Sequence, residues 1–153
     1  MSKVFKLVNL NLTKQLFDGQ NANRYAFEPF TIKEGINFRI QSNKINEQLF
    51  EVSFGLMVDG LKEEDNSGVY KSEVEYTGVF HIEGFTVEEF DKIIKTNCAS
   101  VLYPYTRERT TNVLAMTNFP SNIPPAIDFF SMYETELKNA PQTMEEEQQN
   151  DEE

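Results

Sequence analysis

The chain has 153 residues, of which 39% are hydrophobic, with 13 Phe, no Trp and a formal net charge of −11. That length suits one domain, no run approaches the roughly 20 apolar residues of a membrane span, and an acidic body disfavours nucleic acid, which needs clustered Lys and Arg. Lys and Asn interrupt the first residues where a signal peptide stays apolar, and the single Cys98 has no partner for a disulfide, as in a reducing compartment. Six acids and no bases fall between Ala140 and Glu153, which leaves −5 on the first 139 residues.

The first half reads as strands. Val8, Leu10 and Leu12 alternate with Asn9, Asn11 and Thr13, and Ile36, Phe38 and Ile40 alternate with Asn37, Arg39 and Gln41. A third alternation runs through Val52, Phe54, Leu56 and Val58, and a fourth strand covers about Val69 to Ile82. Period-2 patterning of this kind marks half-buried strands. Short links after the second strand make an antiparallel meander the expected pairing. The first link, about Gln15 to Lys33, is longer and carries Phe17, Tyr25, Phe27 and Phe30.

The second half reads as helices. Thr86 and Glu89 form a capping box, followed by an apolar stripe of Phe90, Ile93 and Ile94 that ends near Asn97 and Cys98. A second helix is expected to open near Pro104, with Leu102, Tyr105, Arg109, Val113 and Met116 on one side. Asp128 is the expected N-cap of a last helix carrying Phe129, Phe130, Met132, Tyr133 and Leu137, and Pro141 is expected to stop it. The fold class is α+β, a four-stranded antiparallel sheet with two to three C-terminal helices on one face. The domain runs over 1–139 and an acidic segment expected to be disordered over 140–153.

The residues do not assemble a catalytic constellation. His81 is alone, with no second His or Cys at metal-ligand spacing, Cys98 lacks a nucleophile motif, and no glycine-rich phosphate loop occurs. Glu88, Glu89 and Asp91 lie where carboxylates favourably meet a helix N-terminus. The aromatic supply is the more informative feature, because aromatics beyond the needs of a small core gather at interaction surfaces.

Leu102-Tyr103-Pro104-Tyr105-Thr106-Arg107-Glu108, then Phe119-Pro120, the pair Pro124-Pro125 and Asp128-Phe129-Phe130, resemble the bacterial SecB family of protein-export chaperones. Ser72-Glu73-Val74-Glu75 and Gly78-Val79-Phe80-His81-Ile82-Glu83-Gly84 are similar to that family's fourth strand, and Thr13-Lys14 to the end of its first. The resemblance spans about Phe5 to Leu137 in the same order of elements. It implies a cytoplasmic, ATP-independent holdase without cofactor, assembled as a homotetramer (a dimer of dimers), that keeps preproteins unfolded and delivers them to the export motor SecA.

It implies a client groove lined by Phe17, Tyr25, Phe27, Phe30, Tyr103, Pro104, Tyr105, Phe119, Phe129, Phe130 and Tyr133. It also implies a SecA-contact face of Asp18, Glu73 and Glu75, and subunit packing through Ser72, Val74 and Tyr76. Gln15, where the family often has an acid, and Lys71, where it has an apolar residue, depart from the pattern. Two alternatives stay open: a SecB-like chaperone dedicated to one client such as an antitoxin, and a small-ligand-binding α+β protein.

Overall fold

In a computed structural model the described residues are 2–19, 21–120 and 124–150, with side chains at 22, 26 and 140–150 left aside. Four strands, β1 (Val4–Asp18), β2 (Ile32–Lys44), β3 (Leu49–Lys62) and β4 (Gly68–Glu83), form one antiparallel sheet in the order β1-β4-β3-β2. The expected meander holds for β2, β3 and β4, and fails for β1, which pairs with the far edge of β4. The result is a Greek-key arrangement. Its cause lies in the long first connection, which contains the short helix α1 (Ala22–Phe27) and lets the chain cross from one edge of the sheet to the other.

Strand β1 also departs from simple alternation. Its register against β4 shifts between Leu7 and Asn9 and again between Leu12 and Lys14, so Val8 and Thr13 are the extra residues of two bulges. Each bulge exchanges the faces of the residues beyond it. Phe5, Leu7, Leu10, Leu12, Gln15 and Phe17 therefore all stand opposite the even-numbered, inward positions of β4, and Val8 is left exposed. Gln15 faces the helices as a consequence, where it accepts a hydrogen bond from Arg109 Nε at 2.5 Å.

One face of the sheet carries the core. Val52, Phe54, Leu56 and Val58 of β3 and Val74, Phe80 and Ile82 of β4 are buried there. Above them lies a continuous helical run of α2 (Val87–Ile93), a π-type turn (Ile94–Cys98) and α3 (Ala99–Ala115). The capping box at Thr86 opens α2 as expected, with the Glu89 carboxylate accepting the Thr86 N–H at 2.8 Å. The expected break at Asn97–Cys98 is instead the π-type turn, and Pro104 sits inside α3 rather than at its start. Burial of Cys98, Ala99, Leu102 and Tyr103 against the sheet rewards continuing the helix, and this outweighs the hydrogen bond that Pro104 cannot donate.

The buried side of α3 also differs from the expected one. It is formed by Ala99, Leu102, Tyr103, Thr106, Thr110, Val113 and Leu114, while Tyr105 and Met116 are exposed. Hydropathy alone favours Tyr and Met over Thr. Close packing on β4 favours small side chains; Thr106 satisfies its hydroxyl by donating to the Tyr103 carbonyl at 2.8 Å, while the buried Thr110 hydroxyl is left without a hydrogen-bond partner.

The last helix, α4, runs over Phe129–Asn150, past Pro141 where its end was expected. Residues 142–150, rich in Glu and Gln, have high helix propensity and sustain the backbone conformation. The end of the acidic segment, 151–153, lies outside the described residues.

Candidate functional site

Two surfaces stand out, one on each side of the sheet. The first is an apolar groove between the edge strand β2 and α4. Phe38 and Ile40 of β2 face Phe129, Met132 and Tyr133 of α4 across a volume of about 350 Å³, with Lys95 and Glu136 at the rim. The sequence builds this groove through the proline connector. Tyr103 OH donates to the Pro125 carbonyl, and Arg107 Nε donates to the Pro124 carbonyl at 2.7 Å. Those bonds fix where α4 begins, and Asp128 caps it by accepting the Ser131 N–H at 3.1 Å. The Phe129 ring is then wedged among Phe38, Phe54 and Tyr103, each 5.6 Å away between centroids. An ion pair of Lys95 with Glu136 at 3.2 Å joins the π-type turn to α4 over the groove.

A second aromatic patch lies at the other end of the same layer. Phe17 stacks on Tyr70 at 6.1 Å, Tyr70 on Phe119 at 5.0 Å, and Tyr25 meets Phe119 at 5.5 Å and Phe30 at 5.3 Å. Tyr70 OH donates to Glu34 Oε1 at 2.6 Å. Burial, and next this bond, push the phenol well above its ordinary pKa. Gly60 makes the arrangement possible, since a Cβ there would come within 2.2 Å of the Tyr70 ring.

The eleven expected groove residues thus separate. Phe129 and Tyr133 line the groove, and Tyr103 supports it from behind. Phe17, Tyr25, Phe30 and Phe119 belong to the second patch. Phe27 is 86% exposed on α1, Pro104 is exposed on α3, Tyr105 is partly exposed where α3 meets Tyr76 of β4, and Phe130 points away from the groove side of α4. Phe38, Ile40, Met132, Lys95 and Glu136 escaped the sequence reading. Phe38 and Ile40 were visible as an alternating apolar pair, but only the strand order reveals that theirs is an edge strand.

Of the residues expected to pack subunits, Ser72 and Val74 are fully buried on the helix-covered side of the sheet. Tyr76 is half-buried and packs on Tyr105 at 5.8 Å.

The second surface is the open face of the sheet. Residues Arg39, Gly55, Glu75 and Lys14 stand side by side in register across the four strands, next to the row Asn37, Met57, Glu73 and Leu16. Asp18 and Asp59 flank Lys71 in the row beyond. The residues expected to form a contact face, Asp18, Glu73 and Glu75, lie here; the Glu73 and Glu75 side chains are only 12% and 17% exposed and each is paired. Lys14 Nζ lies 3.0 Å from Glu73 Oε2, and Arg39 Nη2 lies 3.3 Å from Glu73 Oε1 and 3.4 Å from Glu75 Oε2. Thr13 Oγ1, displaced toward β4 at its bulge, donates to Glu75 Oε1 at 2.6 Å. The Lys14 hydrogen bond, with Arg39 adding to it, holds Glu73 below the usual carboxylate range against burial that pushes the other way.

The remaining chemistry is quiet. His81 Nε2 bonds Glu83 Oε2 at 3.0 Å on the open face. Cys98 is buried, which pushes its thiol pKa up to about 12. Among the described residues no group of three or more His, Cys, Asp or Glu is placed to hold a metal, and no helix is long and apolar enough to cross a membrane.

Comparison with known proteins gives a consistent result. A family model described as "Preprotein translocase subunit SecB" matches residues 5–140. The protein-export protein SecB of Cellvibrio japonicus is 33% identical over 127 residues, which cover 83% of this chain and 73% of that protein. A second relative, protein-export protein SecB 2 of Francisella tularensis subsp. novicida, is 31% identical over 118 residues, covering 76% of this chain and 78% of that one. Among solved structures, a Mycobacterium tuberculosis SecB-like chaperone in complex with an antitoxin peptide superposes with a TM-score of 0.66 at 14% identity, over 81% of this chain and 91% of that chain.

Proposed function

The chain belongs to the SecB family, whose members are chaperones of protein export and not enzymes, and from that premise we propose that it is an ATP-independent holdase. The groove between Phe38 and Ile40 on one side and Phe129, Met132 and Tyr133 on the other carries this reading. An extended, unfolded preprotein segment buries apolar side chains there at about 25 cal/mol per Å². After the ordering costs one segment binds weakly. Grooves repeated in a homotetramer, a dimer of dimers, add about 10²–10⁴ in avidity without nucleotide. The setting is the cytoplasm, the partners are unfolded preproteins and SecA, and the working domain is 1–139 with the acidic segment 140–153 as a solubilising extension. Asp18, Glu73 and Glu75 form the face toward SecA, and Phe17, Tyr25, Phe30 and Phe119 extend the groove as a second contact for client aromatics. Family membership displaces the small-ligand-binding reading.

Aggregation of a chemically unfolded client at sub-stoichiometric chaperone tests the proposal. Wild type is expected to suppress light scattering, and Ile40→Asp with Met132→Asp to lose that suppression while keeping the fold by circular dichroism. A double variant that protects as well as wild type would refute the groove. A chaperone dedicated to one client such as an antitoxin is the second reading, supported by the way Arg39 and Lys14 occupy the acids meant for a motor. Pulldown from the native host separates the two, with many preproteins favouring export and one dominant chain favouring dedication.

A further inference from the structure

We propose that Arg39 is the residue that sets the selectivity of the open face, acting as a built-in competitor: a cationic partner segment docks on Glu73 and Glu75 only by exchange with the Arg39 guanidinium. This rests on the reading of that face as a partner-docking surface. The occupant it fits is a Lys- or Arg-rich extended segment.

Three observations carry it. The two carboxylates already hold a guanidinium, at 3.3 and 3.4 Å from one Arg39 nitrogen, so the chain itself shows the ligand chemistry the pair accepts. The Arg39 side chain is 43% exposed, whereas its two acceptors are largely covered, so the cation is the part of this cluster that solvent and a partner reach first. Gly55 lies between Arg39 and Glu75 in the register, with Arg39 Nη2 3.7 Å from where its Cβ would be, so no intervening side chain blocks the reach from β2 across β3 to β4. Lys14 closes the other side of Glu73. A basic segment arriving from outside finds both acids compensated, and it must replace an intramolecular ion pair whose effective concentration is high.

The arrangement also leaves the face less negative than its acid count suggests. Long-range attraction scales with net charge, and here the cations Lys14, Arg39 and Lys71 offset the acids Asp18, Asp59, Glu73 and Glu75 almost completely. Removing Arg39 restores both the charge and the vacant acceptors.

The test is fluorescence anisotropy with a labelled hexa-arginine peptide, on the full chain and on Arg39→Ala, at low and physiological salt. Arg39→Ala is expected to bind about tenfold more tightly than wild type, with a steeper salt dependence. Lys33→Ala changes the net charge equally on the outer part of the same face and is expected to leave binding near wild type. Adding Glu73→Gln and Glu75→Gln to Arg39→Ala is expected to abolish the gain. Equal peptide affinity in wild type and Arg39→Ala, with both weakened by the two Gln substitutions, would overturn the competitor role and leave the docking face standing. Binding indifferent to Glu73→Gln and Glu75→Gln would overturn the docking face and the proposal together. An equal gain from Lys33→Ala would reduce the effect to bulk charge and overturn it as well. Thermal melts of each variant, together with client holding, report that the fold persists.

Discussion

The two faces of one sheet are held in order by different forces. Along β4 the even-numbered residues Val74, Phe80 and Ile82 disappear beneath helices, while Glu73, Glu75, Thr77 and His81 between them meet partners on the open side. The covered face depends on shape: Phe54 touches Phe38, Tyr103 and Phe129 at 5.4 to 5.7 Å, and nothing polar is needed among them. The open face depends on pairing, since Glu73 and Glu75, both largely covered, each have a cation or hydroxyl within hydrogen-bond reach. Packing tolerates no vacancy, whereas ion pairs near water can exchange partners at small cost. The proposed holdase function draws on both properties, a rigid wall for the groove and an exchangeable face for a partner.

Substitutions on the two faces should separate these forces. Phe54→Ala, at the centre of the covered face, is expected to cost about 3–5 kcal/mol in urea unfolding, and a loss under 1 kcal/mol would mean that the aromatic cluster repacks freely. Gly60→Val forces a side chain into the Tyr70 ring and is expected to cost about 1–3 kcal/mol through overpacking; a neutral result would show that Tyr70 can leave Glu34 without penalty. Open-face changes should be smaller, with Glu73→Gln costing about 1 kcal/mol or less at neutral pH.

The pH dependence of that last variant sharpens the contrast. Glu73 is held below its ordinary value of 4.5, so its contribution is complete above that value and is lost as pH falls through the lower folded-state value. Wild type should therefore lose melting temperature more steeply than Glu73→Gln as pH drops below about 4.5, and parallel curves would refute the pairing. The smallest expected signal is at Cys98. Buried, and with its thiol pushed up to about 12, it should resist iodoacetamide at mildly alkaline pH until urea unfolds the chain; rapid native labelling would show that the helical layer opens.

Much of this was legible along the chain. The alternations at Ile36–Ile40 and Val52–Val58 announced two strands and their inward faces, the Thr86–Glu89 box announced a helix start, and Asp128 announced the last one. Less legible were the elements where a distant partner overrules local pattern. The Val8 and Thr13 bulges exist because β1 must fit β4, and they decide that Gln15 bonds Arg109 at the exposed margin of the helix side while Thr13 reaches Glu75 on the open face. Pro104 reads as a helix start until the buried surface on both sides of it makes one continuous run the better solution. Composition likewise showed too many aromatics for one small core, yet their division into a groove at Phe129 and a patch at Phe119 depends on how the connector is tied to α3.

The sequence by itself therefore determined the α+β class, the number of strands, the capping residues and the family, because each rests on local periodicity, short-range hydrogen bonding or motif spacing. The tertiary structure alone decided that β1 lies beside β4, that β2 is an edge strand able to wall a groove, and that Arg39 sits on Glu73 and Glu75 across a gap left by Gly55. Those are contacts between residues far apart in the chain, 36 positions in the Arg39–Glu75 pair and more between β1 and β4 or between Phe38 and Phe129, and only folding brings such charges and surfaces within reach of one another.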